Sequence, residues 1–446
     1  MKNIDVLLIN LPTTCWYKEK FAQSNSMPPL GLLYIGTVLK ENGFKVQILD
    51  FAVESFTKES FKNKLLELSP KIVGMSTYNE SWKAQKVLCK IIKNELPDTK
   101  IWAGGAFSTF CYEDILNKTE TDYITKGEGE LSSLMLCNKF VKKMDINIDD
   151  IPGIIYKKVD GTFYINNNFK RICNLDELPF PDRSMIDFNK YLLPYTINTS
   201  RGCPGQCIFC SSKAFWGKNV YMRSAENVFA ELMDLYNKYK TNIFYITDDT
   251  FTASAKRVMD FCKLIKASKI KFLWGCESRA DVITDELMKT LYDAGCRKLQ
   301  IGLESADNDI LKKLKKNVTI EQIERGIRLA YENKMHISAS FIIGHAFDTE
   351  ETIDKTLKFV KHIQKDYGAF VMGSSNTPFP GTEQYEMRDK LGIKIHAKEW
   401  DEFVLNLPTI STKNISIDKL RYYFNVVTKI MESNNLDFEL REVQEV

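Results

Sequence analysis

Short apolar runs and amphipathic stretches take turns along the first 140 residues. DVLLIN, KVQILD, IVGMST, KIWAGG and DYIT read as strands. Between them LGLLYIGTVLKENG, closing on a Gly, the stretch from about Lys58 to Leu68, WKAQKVLCKIIKNEL and a further segment before DYIT read as helices. Alternation at this pace predicts a Rossmann-like parallel sheet, residues 1–140, with helices on both faces. Ligands of such sheets sit at the carboxyl ends of the strands, where the loops here read STYN, GGAF and KGEGE.

The pattern changes over residues 141–194. IPGIIYKKVDGTFYINN reads as a hairpin turning at Asp160 and Gly161, and LDELPFPDR as a Pro-interrupted linker. From residue 195 the alternation resumes with a longer period. YTINTS, NIFYITDD, FLWGCES, KLQIGLES, ISASFIIG and AFVMGSS are strand-like, and all but the last precede a helical stretch. Six such units predict an open, partial (β/α)6 barrel over residues 195–385, with its chemistry at the carboxyl ends of the strands. The remainder, 386–446, reads as helical.

Composition narrows the function classes. The 446 residues carry a net charge of +3 with both signs scattered, so no basic footprint marks a nucleic-acid or membrane partner. Nothing approaches the ~18 apolar residues of a membrane span, and the apolar run from Val6 to Ile9 is too short for a secretory signal. The expectation is a soluble, cytoplasmic protein. Eight of the eleven cysteines, Cys15, Cys89, Cys111, Cys137, Cys173, Cys262, Cys276 and Cys296, are isolated and read as small buried hydrophobes.

The other three stand together in RGCPGQCIFC: Cys203, Cys207 and Cys210. Three thiolates spaced C-x3-C-x2-C just after a strand cannot close a tetrahedral zinc site, and no His lies near them. A four-iron cluster held by three Cys keeps one iron open for a further ligand. A zinc site borrowing a distant ligand, or three incidental thiols, is the competing reading.

The spacing, with Phe209 before the last Cys, resembles the radical S-adenosylmethionine (SAM) superfamily. The resemblance implies a [4Fe-4S] cluster on the three cysteines, SAM on the open iron, and a 5′-deoxyadenosyl radical that abstracts hydrogen from a substrate. It also implies where SAM would be held. Phe209 would lie near the adenine; Asp248 or Asp249 of TDDTF would meet the ammonium, or either Asp would face substrate; Ser278 and Arg279 of CESRAD would meet the carboxylate. Glu304 of GLES would take the ribose or amino group, Ile343 in FIIGH would offer backbone edges to the adenine, and PFPGT, Pro378 to Thr382, would close the last barrel loop. Taken singly, each of these is as readily a loop cap or an ion-pair member.

PPLGLLYIGTVLKENGFKVQILD, STYN, GGAF and TKGEGE, followed by LDELPFPDR, resemble the cobalamin-binding domain that precedes the barrel in one branch of that superfamily. The implied contacts are Pro29, Leu30, Gly31, Ser76, Thr77, Tyr78, Gly104, Gly105, Ala106, Gly127, Glu128 and Gly129. The same glycines also suit plain strand-to-helix turns. No G-x-G-x-x-G follows the first strand, which argues against a dinucleotide. Residues 1–335 contain no His, so cobalamin here would be base-off, without a histidine ligand from this domain.

These readings predict a cobalamin-dependent radical SAM methyltransferase acting on an unactivated carbon, with methylcobalamin as donor. Ring contraction or cyclisation on the same cofactors is the alternative. A tRNA methylthiolating enzyme would need a second three-Cys set, and a non-catalytic cobalamin or iron-sulfur sensor would leave Asp248, Arg279 and Glu304 without a task. The expected partners are a small-molecule or peptide substrate and an electron donor such as flavodoxin or ferredoxin.

Overall fold

Val6, Leu7, Leu8 and Ile9 are all fully buried in strand β1 (Val6–Asn10), which is possible only in a sheet covered on both faces. In this computed structural model, describing residues 3–12, 27–54, 57–169 and 171–434, both covers are present. Leu7 and Ile9 pack with Phe61, Leu65 and Leu88 of helices Lys58–Leu68 and Trp82–Glu95. Val6 and Leu8 pack with Leu33 and Leu136 of helices Leu30–Glu41 and Glu130–Phe140.

Strands β2 (Val46–Asp50), β3 (Ile72–Ser76), β4 (Lys100–Gly104) and β5 (Tyr123–Thr125) join β1 in the order β2-β1-β3-β4-β5, all parallel. The order reverses between β1 and β3, and a crevice opens outside the carboxyl ends of such a pair. The expected hairpin forms as β6 (Ile154–Lys157) and β7 (Phe163–Ile165), with Gly161 at φ +85° in its turn. Antiparallel pairing of β6 with β5 makes the hairpin an extension of the sheet to seven strands.

The chain divides into two compact units, residues 1–196 with Glu399–Glu402, and residues 197–398 with 403–446. In the second, β8 (Thr196–Ile197) leads into a two-stranded ribbon of β9 (Ser200–Arg201) and β10 (Tyr221–Met222). The main sheet has six strands ordered β15-β14-β13-β12-β11-β8, with β11 (Ile243–Ile246), β12 (Leu273–Ser278), β13 (Cys296–Glu304), β14 (His336–Ile343) and β15 (Phe370–Ser375) running parallel. Its two edge strands do not pair, as the open six-unit barrel requires.

The region past 385 departs from the all-helical expectation. It carries a small antiparallel pair, β16 (Lys394–Ile395) and β17 (Ile410–Ser411), before one long helix, Ile417–Glu432. That helix covers β14 and β15. Leu420 fills the space beside Gly344, and Val427 lies against Gly373 together with Phe341. Met431 Sδ accepts the Gly373 N–H at 3.1 Å. The last barrel strand thus takes its covering helix from the C-terminal region.

Among the cysteines read as isolated, Cys89, Cys111, Cys137, Cys262, Cys276 and Cys296 are buried. Two corrections apply. Cys173 is exposed, and Cys276 is in hydrogen-bond reach of Cys296 on the adjacent strand. Cys15 lies outside the described residues.

Candidate functional site

The three-cysteine loop leaves β9 through Gly202 at φ +104°, where a Cβ would stand 3.0 Å from the Asn219 carbonyl. Its backbone is tied down at Ile208, whose N–H donates to Leu314 O and whose carbonyl accepts from Gln384 N–H. As residues, Cys203 and Cys207 are partly buried and Cys210 is exposed, although the Cys210 sulfur itself is enclosed. A Cβ on Gly205 would lie 3.3 Å from Cys203 Sγ, 3.9 Å from Cys207 Sγ and 3.2 Å from Arg279 Nη1, so two thiols and a guanidinium converge over one bare glycine. Burial pushes the Cys210 thiol up to about 12 and raises Cys207, while Lys316 and Arg279 pull Cys207 back.

No three His, Cys, Asp or Glu side chains among the described residues close on a single metal ion. Three cysteines in one loop, two of their thiols converging beside a guanidinium, fit a cluster held on three thiolates.

Strand alternation decides which strand-end residues face the lumen. On β11 and the residues after it, Tyr245, Thr247 and Asp249 alternate with Phe244, Ile246 and Asp248. Asp248 is fully buried and accepts from Thr199 N–H (2.6 Å), Thr199 Oγ1 (2.5 Å), Ser200 N–H (3.0 Å) and Ser200 Oγ (2.6 Å), with Arg257 3.5 Å away. Both its oxygens are consumed, which corrects its expected contact with a ligand. Asp249 is exposed and takes one bond, from Ser212 Oγ to Oδ2 at 2.6 Å.

On β12 the buried face holds Trp274, Cys276 and Ser278. Ser278 shares a 2.7 Å hydrogen bond with Thr252 Oγ1, so its hydroxyl is turned away from the lumen, a second correction. Arg279 is held by Asp281 through Nε and Nη2, both 3.0 Å, and by the Lys316 carbonyl at 3.0 Å. This leaves Nη1 turned toward the cysteines.

Glu304 ends β13 at φ +66°, a conformation rare outside glycine, and is held there by an ion pair to Lys316 Nζ at 3.0 Å. Both partners are buried. Ile343 is also buried, and its carbonyl edge is already paired, accepting from Asn376 N–H at 2.8 Å. Phe209 lies 5.5 Å from the ring of fully buried His345, which burial holds neutral, its pKa lowered to about 3.

In the N-terminal unit, Gly104 and Gly31 have open space where a Cβ would stand, beside the carboxyl edge of the sheet. Gly105 at φ +99° lets the chain turn within 3.0 Å of the Thr77 carbonyl, and Ala106 then begins helix Ala106–Phe110. Pro29 caps Leu30–Glu41 at its start. Gly127, at φ +76°, turns the loop against Phe169, while Gly129 packs tightly on Ile35 and Trp102. Three expected contacts are spoken for. The Thr77 hydroxyl is buried against Gly104 O and Ser108, Glu128 binds Ile172 N–H and Arg171, and a Gly129 Cβ would meet Ile35 at 2.9 Å. Ser76 and the exposed Tyr78 remain at the edge. The open glycines fit a flat macrocycle.

Sequence reasoning overlooked Lys316, Glu277 and an edge network in which Tyr191 OH and Asn10 Nδ2 donate to Asp50, at 2.6 and 2.8 Å. Lys316 stands in KKLKK, where nothing singles it out. Glu277 was within reach, two residues before Arg279 on the same strand face.

Comparison with known proteins agrees with this geometry. Residues 24–134 match the B12 binding domain model and residues 197–360 the radical SAM superfamily model. The chain is 29% identical to an uncharacterized methyltransferase, PH0819, of Pyrococcus horikoshii, covering 99% of this chain and 94% of that one. It is 28% identical to the anaerobic magnesium-protoporphyrin IX monomethyl ester cyclase of Rubrivivax gelatinosus, over 85% of this chain and 69% of that one. Its fold superposes with a TM-score of 0.73 on the radical SAM methyltransferase TsrM of Kitasatospora setae, solved with cobalamin and a [4Fe-4S] cluster, at 16% identity over 98% of this chain and 90% of that one. Taking both domains together, the chain belongs to the cobalamin-dependent radical SAM enzymes, a B12 binding domain followed by a radical SAM barrel.

Proposed function

We propose that the chain transfers a methyl group to an unactivated carbon of a small-molecule or peptide substrate. The observation that carries this is a three-thiol loop with Arg279 turned toward it, in one chain with a B12 binding domain that lacks any His. When bound, the cluster and SAM supply a radical that removes a hydrogen atom from the substrate, and cobalamin supplies the methyl group.

The protein's residues bind and orient. Cys203, Cys207 and Cys210 would hold the cluster. Asp249 accepts the SAM ammonium through the oxygen that Ser212 does not use. Arg279, with Lys316 behind it, takes the SAM carboxylate, Glu304 the ribose, and Phe209 flanks the adenine. Gly31, Gly104 and Gly105 admit the corrin face, with Ser76 and Tyr78 at its rim. With no His in residues 1–335, this domain would offer cobalt no imidazole. The electron is delivered by a protein such as flavodoxin or ferredoxin.

Anaerobic reconstitution tests this. The expected result is a cluster signal, a base-off Co(II) signal without nitrogen splitting, and label from methyl-labelled SAM in a product heavier by one methyl group. A second reading, cyclisation without methyl transfer, is favoured by the similarity to the cyclase of Rubrivivax gelatinosus. It predicts a product that carries no label.

A further inference from the structure

Glu277 has no task in that account, yet its place in the barrel is well defined. Alternation along β12 turns Trp274 outward onto Phe244, stacked at 5.6 Å, and turns Gly275, Glu277 and Arg279 into the lumen. Gly275 marks the floor, since a Cβ there would stand 2.9 Å from the Tyr245 ring and 3.0 Å from Lys298 Cβ. Arg279 marks the mouth, beside Cys203 and Cys207. Glu277 stands between them, about 7 Å along the strand from each. Gln300 is its register partner on β13, and Ser338 is the partner of Gln300 on β14.

Nothing among the described residues donates to this carboxylate. The Thr247 hydroxyl donates to Ile197 O, Arg279 is given to Asp281 and the Lys316 carbonyl, and Lys316 to Glu304. Burial first, then the charges of Asp249 and Asp248, push Glu277 up to about 7. A half-buried carboxylate without donors is costly, and a second carboxylate nearby adds to that cost. A cation seated in the lumen removes both penalties.

We propose that Glu277 recognises a cationic centre on a ligand held in the barrel lumen below Arg279. Two sources carry that chemistry: the sulfonium of SAM, and a protonated amine on the substrate. The inference rests on the reading of this barrel as a SAM site.

The test uses the reconstituted full-length protein as wild type, Glu277→Gln and Glu277→Asp. SAM and S-adenosylhomocysteine, which lacks the sulfonium charge, are measured by equilibrium dialysis. Propylammonium and neutral propanol are measured by ligand-observed NMR with SAM present. Glu277→Gln should weaken at least one cationic probe about tenfold, and Glu277→Asp should recover part of the loss. Loss for SAM but not S-adenosylhomocysteine assigns the sulfonium, and loss for propylammonium but not propanol a substrate amine. Unchanged affinity for every probe, or losses that are equal within each pair, SAM with S-adenosylhomocysteine and propylammonium with propanol, overturn the proposal. Wild-type protein that retains neither cluster nor SAM would overturn the functional reading and this inference with it, before any substitution is made.

Discussion

Lys316 Nζ lies 3.0 Å from Glu304 Oε1, and the pair occupies the space that a side chain at position 302 would need. Gly302→Ala should therefore break the pair or shift it, lowering SAM affinity about tenfold and the melting temperature by a few degrees. Equilibrium dialysis and thermal unfolding check this. Unchanged SAM affinity would detach the pair from the binding site.

Adjacent carboxylates should behave oppositely. Asp248→Asn leaves buried donors from Thr199 and Ser200 facing the wrong group and should cost about 2–4 kcal/mol of stability. Asp249→Asn removes an exposed group with a single bond and should cost under about 1 kcal/mol while weakening SAM binding about tenfold. Urea unfolding beside SAM binding separates the two, and equal destabilisation by both would contradict the assignment.

Acid should destabilise the barrel through His345. Its folded pKa, about 3, lies below the unfolded value near 6.5, so the unfolded chain binds the extra proton across that window. Stability from this residue is present above about pH 6.5 and is lost as pH falls toward 3. Asp348, raised to about 6 mainly by burial, acts in the opposite direction, and it is common to wild type and variant. His345→Leu should lose about 2 kcal/mol less than wild type between pH 7 and pH 5 in urea unfolding. Parallel loss in both proteins would sink the argument.

Gly104 has open space at its missing Cβ, so Gly104→Leu should fold normally while filling the corrin cradle. Retained cobalamin after gel filtration should fall at least tenfold, with iron and SAM binding unchanged. Full retention of cobalamin would move that cofactor elsewhere on the domain.

Much of this was legible in the chain itself. Apolar runs such as VLLI and the spacing of Cys203, Cys207 and Cys210 are local signals, and local signals survive folding. What the pattern could not resolve was direction. Asp248 and Asp249 are equivalent as letters, but period-2 alternation sends one into the sheet packing and the other to the lumen, and the strand's phase is set by its neighbours. Ser278, whose hydroxyl goes to Thr252, was misplaced for the same reason. Lys316 was hidden for another: it stands in a run of four similar lysines, and its partner Glu304 is twelve residues away across the helix Asn308–Lys313.

Glu399–Glu402 belong with a unit whose other residues end at 196. Within that unit Trp400 Nε1 donates to Asp114 at 2.7 Å, Trp82 Nε1 to Glu399 at 3.0 Å, and Lys83 pairs with Asp401 at 3.0 Å. The halves are consequently not separable modules in the genetic sense. A gene fusion that exchanged the chain at residue 196 would carry these three anchors away on the wrong partner, and Trp82, Lys83 and Asp114 would meet whatever four residues the new half happened to encode.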